Sequence, residues 1–305
     1  MRQCCFLSMD SLERYTSDDD LAIAPLRALG WEAETVSWRA ERAGWADFDA
    51  VIIRTTWDYQ QHPDEFIAVL EDIEKQTRLL NPLSIVRWNL SKTYLRDMSD
   101  AACPTVPTIW APAYSKAEFE NWQRHFGSRE LIVKPAVSAT AENTFWLTNY
   151  DASLEGIFAE REFLVQPFVP AITDEGEYSL FYFNGEYSHA ILKSPAPADF
   201  RVQEEHGGII TAIEPDAELL KAGINAIDAL ERAFQQKGDM PDCWSIDEEL
   251  LYARVDLVRF GGGFALMELE LIEPALYLRM DPKAPLRFAR AIESMLSPGS
   301  ARIRS

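Results

Sequence analysis

The sequence predicts two architectures in succession: a parallel α/β unit at the N-terminus, then α+β segments built on antiparallel hairpins. Three observations carry this. Through residues 3–75, apolar runs of strand length alternate with helical stretches, the pattern of a parallel sheet. From Gly176 onward the chain turns to hairpins, one around Asn184-Gly185 and one around Gly261-Gly262-Gly263. Finally, 305 residues suit about two domains and a sizeable core.

The elements follow in order. Residues 3–9 read as a buried strand. Asp18, Asp19 and Asp20 cap and start a helix over 21–29, which Gly30 stops. Strands are expected over 32–38 and 49–54. The latter ends in a polar-aromatic patch, Arg54, Thr55, Thr56, Trp57, Asp58 and Tyr59. Ligands gather at the carboxyl ends of strands in such sheets, although Trp57 and Tyr59 would also suit simple packing. A helix over 63–75 and a break at Asn81-Pro82 come next. Residues 88–95 begin a short helix with Asn89 or Ser91 as its cap. Pro104 and Pro107 make 103–108 extended. A helix over 115–126, a strand over 130–135 and a run of small residues over 136–143 precede a strand over 163–169. The hairpin over 176–193, helices over 216–236 and 282–296, and a frayed tail from 297 complete the chain. The corresponding domains are 1–87, 88–168 and 169–305.

The glycine hairpin is the most informative segment. With all three glycines as the loop, Phe260 faces Phe264 and Asp256 falls opposite Glu268. Period-two alternation puts Glu270 on that face and Val255, Leu257, Met267, Leu269 and Leu271 on the other. Like charges opposite each other destabilise a ladder. A hard divalent ion such as magnesium reverses that cost. A solvated acidic face fits the same pattern, and another loop length would shift the register.

Composition narrows the partners. There are 29 Lys plus Arg against 49 Asp plus Glu, a formal net charge of -20, so neither nucleic acid nor an anionic membrane surface is an expected partner. No apolar run has the length of a membrane span, and the first residues do not form a secretory signal. Cys4, Cys5, Cys103 and Cys243 fit no zinc or disulfide spacing and read as reduced thiols of a cytoplasmic protein. Lys92, Lys134, Lys193 and Arg201 each sit beside a structural break. Cations on loops and carboxylates on a hairpin are the parts that phosphoryl transfer requires. No Walker loop is present, and no GxGxxG follows a strand, which disfavours a dinucleotide oxidoreductase.

In this order the motifs resemble the ATP-grasp superfamily, in its glutathione synthetase and D-alanine–D-alanine ligase branch. The likeness rests on Lys92, the strand ending Lys134-Pro135, the segment 164–169, Glu177 and the acidic hairpin. The patch 53–59 and residues 88–95 look closest to a bacterial subgroup that includes the cyclo-ligase closing the ring in cycloserine biosynthesis. The resemblance implies an ATP-grasp fold: two subdomains clamping ATP, behind an N-terminal α/β domain. It implies ATP and one or two magnesium ions as cofactors. Lys92, Lys134 and Ser138 would meet the nucleotide, with Gln166, Pro167, Phe168 and Val169 at the adenine and Glu177 at the ribose. Asp256, Glu268 and Glu270 would hold magnesium, and Lys193 and Arg201 the transferring phosphate. His206, Gly207 and Gly208 would line the same cleft.

The implied activity is ATP-dependent carboxylate–amine ligation through an acyl phosphate on a small amino-acid-like substrate. Intramolecular ring closure and a catalytically silent nucleotide-binding module are the alternatives. On this reading Arg54, Thr55, Thr56 and Asp58 face the substrate, Arg54 pairing with a carboxylate and Asp58 with an ammonium. The loop over 194–200 is the expected lid. A homodimer is allowed, not required. The flap after Lys134 is poor in glycine, with Ala136, Ser138, Ala139 and Thr140, and Glu270 stands where asparagine is frequent in the wider family.

Overall fold

The computed structural model describes residues 1–41, 43–138, 141–197, 199–237 and 250–297, organised around three sheets. The first contains β1 (Arg2–Ser8), β2 (Trp31–Ser37), β3 (Ala50–Thr55) and β4 (Arg78–Leu80) in the order β2-β1-β3-β4, with every pair parallel. Its crossovers carry α1 (Ile23–Ala28) and α2 (Pro63–Gln76). Strands buried on both faces explain the near-continuous apolar runs in the sequence. Cys5, Leu7, Val51 and Ile53 pack with Phe66, Leu70 and Ile73 of α2 on one side. Cys4, Phe6, Ala50 and Ile52 face the other. Within this sheet β4, wedged against the Asn81-Pro82 break, escaped the sequence pattern, as the short strands Ile109–Ala111, Phe145–Leu147 and Ile209–Ile213 did in the other two sheets.

Next come α3 (Leu83–Asn89) and α4 (Tyr94–Asp100). Asn89 caps neither. Its amide donates to Leu269 O at 2.9 Å and its carbonyl accepts from Leu271 N at 2.9 Å, docking α3 onto a distant strand. Ile85, Tyr94, Leu95 and Met98 likewise share a core with Leu180, Val255 and Leu269. Residues 85–103 therefore pack on the third sheet, not on the second.

The second sheet is antiparallel and small: β5 (Ile109–Ala111), β6 (Leu131–Pro135), β7 (Phe145–Leu147) and β8 (Phe163–Pro167), in the order β5-β8-β6-β7. It is covered by α5 (Lys116–Phe126) and the short α6 (Glu155–Phe158) through Phe119, Trp122 and Phe158. Ser115 caps α5 by accepting from Glu118 N at 3.3 Å. The turn α7 (Ala171–Asp174) leads into the third sheet.

That sheet contains β9 (Glu177–Phe183), β10 (Glu186–Ser194), β11 (Ile209–Ile213), β12 (Tyr252–Phe260) and β13 (Gly263–Glu270), in the order β11-β10-β9-β12-β13. Asn184 and Gly185 turn the first hairpin with φ of 49° and 74°, as a two-residue loop between twisted strands demands. On one face lies α8 (Ala217–Lys237), started by Asp216, whose carboxylate accepts from Leu219 N at 2.8 Å. The final helix α9 (Ala284–Leu296) lies on the other, between the first and third sheets.

The acidic hairpin differs from expectation in its turn. Phe260 pairs with Gly263, so Gly261 and Gly262 alone form the loop, at φ of 63° and 85°. Phe264 therefore faces Arg259, not Phe260. A bulge then restores the anticipated register. Leu257 pairs with Leu266, Asp256 pairs with Glu268, and Met267 is the extra residue. The bulge turns Met267 away from Leu257 and Leu269, into a cluster with Val169 and Val258 on the carboxylate side.

The α9-facing side of the third sheet divides in two. Phe181, Phe183, Ile191 and Tyr252 pack on Phe288 and Ile292 of α9. Two to four residues along the same strands, the same parity brings up Glu177, Ser179, Lys193, Arg254 and Asp256. The apolar half is a core and the polar half is a cleft. No described helix is long and apolar enough to cross a membrane.

Candidate active site

The cleft is walled by Lys92, Lys134, Ser138, Gln166, Pro167 and Val169 on one side and by Glu177, Lys193, Arg201, Glu268 and Glu270 on the other. Asp256 lies just beneath, 1% exposed. Position follows from local structure: Lys134, paired with Leu164, and Gln166, paired with Ile132, share one face of the β6–β8 ladder, and Glu177 pairs with Lys193 across β9–β10.

Alternating charges lock together across this floor. Lys193 Nζ stands 2.5 Å from Glu177 Oε1 and 3.1 Å from Asp256 Oδ2. Arg254 reaches Asp256 Oδ2 at 2.9 Å and also pairs with Glu270. Ser179 donates to Asp256 Oδ1 at 2.5 Å. Lys92 pairs with Glu268 at 2.9 Å and donates to Ser138 O at 2.8 Å. Lys134 is buried without an ion pair among the described residues.

The electrostatics follow from these partners. Burial works against the Lys193 ammonium, but Asp256 and Glu177 outweigh it and raise its pKa. Burial likewise opposes the Asp256 carboxylate, yet Arg254 and Lys193 bring it down to about 2. Burial lowers Lys134, with Lys92 adding to the effect and Glu268 opposing it. Two carboxyls move the other way. Burial and neighbouring Asp256 raise Glu270 to about 7 despite Arg254. Burial and Glu270 raise Glu273 to about 8.

The donor set suits magnesium in kind, since hard carboxylate oxygens are what that ion takes. It is not preassembled. Among the described residues no three His, Cys, Asp or Glu side chains converge on one point. Glu268 and Glu270 keep side-chain exposures of 26% and 29% toward the cleft, whereas both Asp256 oxygens are held by Arg254, Lys193 and Ser179. The three carboxylates do share one face, and cations on that face neutralise them, as the low-dielectric setting requires.

Other expected residues lie elsewhere. Arg54 is 1% exposed and outside the cleft lining. It pairs with Asp19 at 2.9 Å, donates to Pro274 O at 3.1 Å, and lies near the Tyr252 and Phe288 rings. Thr55 donates to Ser8 Oγ at 2.7 Å, and Thr56 is fully buried. Asp58 accepts from Trp38 Nε1 at 2.8 Å and pairs with Arg39. The chain turns after β3, so the patch's aromatic members, Trp57 and Tyr59, reach the cleft instead. Phe168 stays off the lining too: it stacks on Trp146 at 4.1 Å, and its N–H donates to Glu130 O.

On the 194–208 loop, Phe200, Arg201, Val202, Gln203 and Glu205 line the cleft, while His206, Gly207 and Gly208 fall just beyond it. Arg201 is held by Asp199 at 2.7 Å. Gly208 packs so closely on the Val202 carbonyl that a Cβ would collide with it. Ala139, Thr140 and Ala198, in the expected flap and lid, lie outside the described residues, as does Cys243.

Sequence reasoning missed Arg254, Glu273 and Tyr277, all cleft-lining. Arg254 was legible, since it shares the parity of Asp256. Glu273 and Tyr277 follow the end of β13, where no periodicity applies.

Residues 4–81 match the family described as D-cycloserine synthetase DcsG, N-terminal domain. Over 286 residues the chain is 30% identical to the cycloserine biosynthesis protein DcsG of Streptomyces lavendulae, covering 89% of this chain and 91% of that one. The crystal structure of D-cycloserine synthetase DcsG superposes with a TM-score of 0.80 at 28% identity, over 97% of this chain and 100% of that one. The D-alanine–D-alanine ligase of Bacillus anthracis complexed with ATP shares the fold, with a TM-score of 0.63 at 16% identity and 97% of each chain covered.

Proposed function

Since this chain belongs to the ATP-grasp ligases, in the family of the cycloserine biosynthesis protein DcsG, we propose that it closes a ring within one small amino-acid-like molecule. The chain is an ADP-forming ligase that joins a carboxylate to an amine. The finer reading, that both groups belong to one substrate, is supported by a likeness to DcsG that runs the length of the chain and includes the N-terminal unit.

The roles proposed for its residues follow from charge. Lys92 and Lys134 hold the triphosphate, Ser138 supports Lys92, and Gln166, Pro167 and Val169 flank the base, with Glu177 near the ribose. Magnesium, as one ion or two, neutralises charge between the phosphates when bound with the nucleotide. Glu268 and Glu270 would hold it, and Asp256 would join if Arg254 and Lys193 turned toward the incoming phosphates. A substrate carboxylate oxygen attacks the γ-phosphorus and ADP departs. Lys193 and Arg201 stabilise the transferred phosphate. The amine then attacks the acyl carbon and phosphate leaves. Positioning and fixed charge supply most of the acceleration. The 194–200 loop, with Phe200 edge-on to Trp146 at 5.9 Å, keeps water from the acyl phosphate. The Arg54–Asp58 patch acts from behind, by holding the cleft wall. The reaction is placed in the cytoplasm.

An ADP-release screen over amino acids and small carboxylates, followed by mass analysis, tests this. Ring closure consumes one substrate per ADP and needs no second amine. A product containing two substrate molecules contradicts it.

A further inference from the structure

Each of Glu177, Asp256, Glu268 and Glu270 is neutralised by a lysine or arginine. Glu273 also lines the cleft and is partly buried, yet no cation stands within ion-pair distance of it among the described residues. It is not a casual surface group. Trp57 Nε1 donates to the Glu273 carbonyl at 2.8 Å and Arg54 donates to the next carbonyl, Pro274 O, at 3.1 Å. The Tyr59 hydroxyl faces the carboxyl itself. Its main chain is thus fixed from the N-terminal unit, while its side chain is left without a counter-charge.

A lone carboxylate beside an indole and a phenol suits one kind of cation. An ammonium donates a charge-assisted hydrogen bond to the carboxylate and supplies the missing counter-charge. Magnesium demands several oxygen ligands and already has Glu268 and Glu270 proposed for it, whereas the Glu273 carboxyl meets the Tyr59 hydroxyl. We infer that Glu273 is the anchor for the α-ammonium group of the small substrate, a group distinct from the amine that attacks the acyl carbon; this is the role expected of Asp58, which Arg39 and Trp38 occupy. This rests on the amino-acid-like substrate proposed above. It makes Glu273 a determinant of specificity: an analogue lacking the amine forgoes the charge-assisted hydrogen bond to Glu273.

The test compares wild type with Glu273→Gln in two arms. In the first, ADP release is measured with D- and L-alanine against propionate, and D- and L-serine against 3-hydroxypropionate. In the second, calorimetry measures binding of D-cycloserine against isoxazolidin-3-one, its ring without the amine. Wild type is expected to prefer the amine-bearing member of a pair by about tenfold to a hundredfold. Glu273→Gln should lose that preference through KM or Kd, at unchanged KM for Mg-ATP. A variant that keeps the preference, or whose Mg-ATP KM rises instead, overturns the inference and leaves the ligase reading standing. Glu273-dependent amine binding supports the inference even where none of these probes releases ADP; failure of the ligase reading is read separately, from the wider ADP-release screen. A wild type that binds no amine-bearing probe overturns the inference.

Discussion

Two arginines, Arg254 and Arg54, are both almost fully buried and both paired with carboxylates, yet they serve different ends. Arg254 shares Asp256 with Lys193 and reaches Glu270 on an open wall, where a phosphate can compete for its guanidinium. Arg54 is enclosed by Asp19, the Pro274 carbonyl and two rings, with no opening to the cleft. Burial and charge do not by themselves mark a functional cation. What separates the two is whether the partners face a space that a ligand can enter.

Breaking each network should therefore give different losses. Arg54→Ala strands Asp19 and releases the Pro274 carbonyl. It should cost about 3–5 kcal/mol of stability by denaturant unfolding, while the folded fraction keeps its KM for Mg-ATP. A large KM change at intact stability would return Arg54 to the ligand site.

His189 sharpens the comparison from the apolar half of the sheet. It stacks on Phe181 and its Nε2 donates to Leu276 O at 3.0 Å, so it helps to hold the segment that carries Glu273. Burial lowers its pKa from 6.5 to about 4, with the Leu276 carbonyl and Asp281 opposing and Arg287 adding to the shift. A depressed pKa means that the unfolded chain takes up the proton first. The contribution is present above pH 6.5 and is lost as pH falls toward 4, by about 3 kcal/mol in all. Unfolding of wild type and His189→Gln at pH 7 and pH 4.5 checks this, and the stability gap should shift in the variant's favour on acidification. An unchanged gap contradicts it.

Asp58→Ala should do least. Asp58 and its ion-pair partner Arg39 are partly exposed, and only the Trp38 indole N–H is buried, so about 1–2 kcal/mol of stability is at stake, and the substrate KM should stay within about threefold of wild type. A tenfold rise would put Asp58 back beside the substrate.

The contrast also explains what could be read from the chain. The parallel unit, both hairpins and the carboxylate face followed from apolar runs and period-two alternation. Even a misjudged turn did little harm: the loop is one residue shorter than expected and the Met267 bulge adds one back, so Asp256 still meets Glu268. The 54–59 patch lacked such a rule. Beyond the end of β3 the backbone turns freely, and which side chains reach the cleft depends on where 272–277 lies, a contact some 220 residues away in sequence. The ion pairs were hidden for a similar reason. Lys193 meets Asp256 across β9, which separates β10 from β12 in the sheet.

The measurement that bears most directly on the account is Mg-dependent nucleotide binding and turnover by an Asp256→Asn, Glu268→Gln double variant. The carboxylate face is expected to be required. The folded variant should lose the tightening of ATP binding by magnesium, and ADP formation should fall by at least about a thousandfold. Turnover and magnesium dependence matching wild type would contradict it.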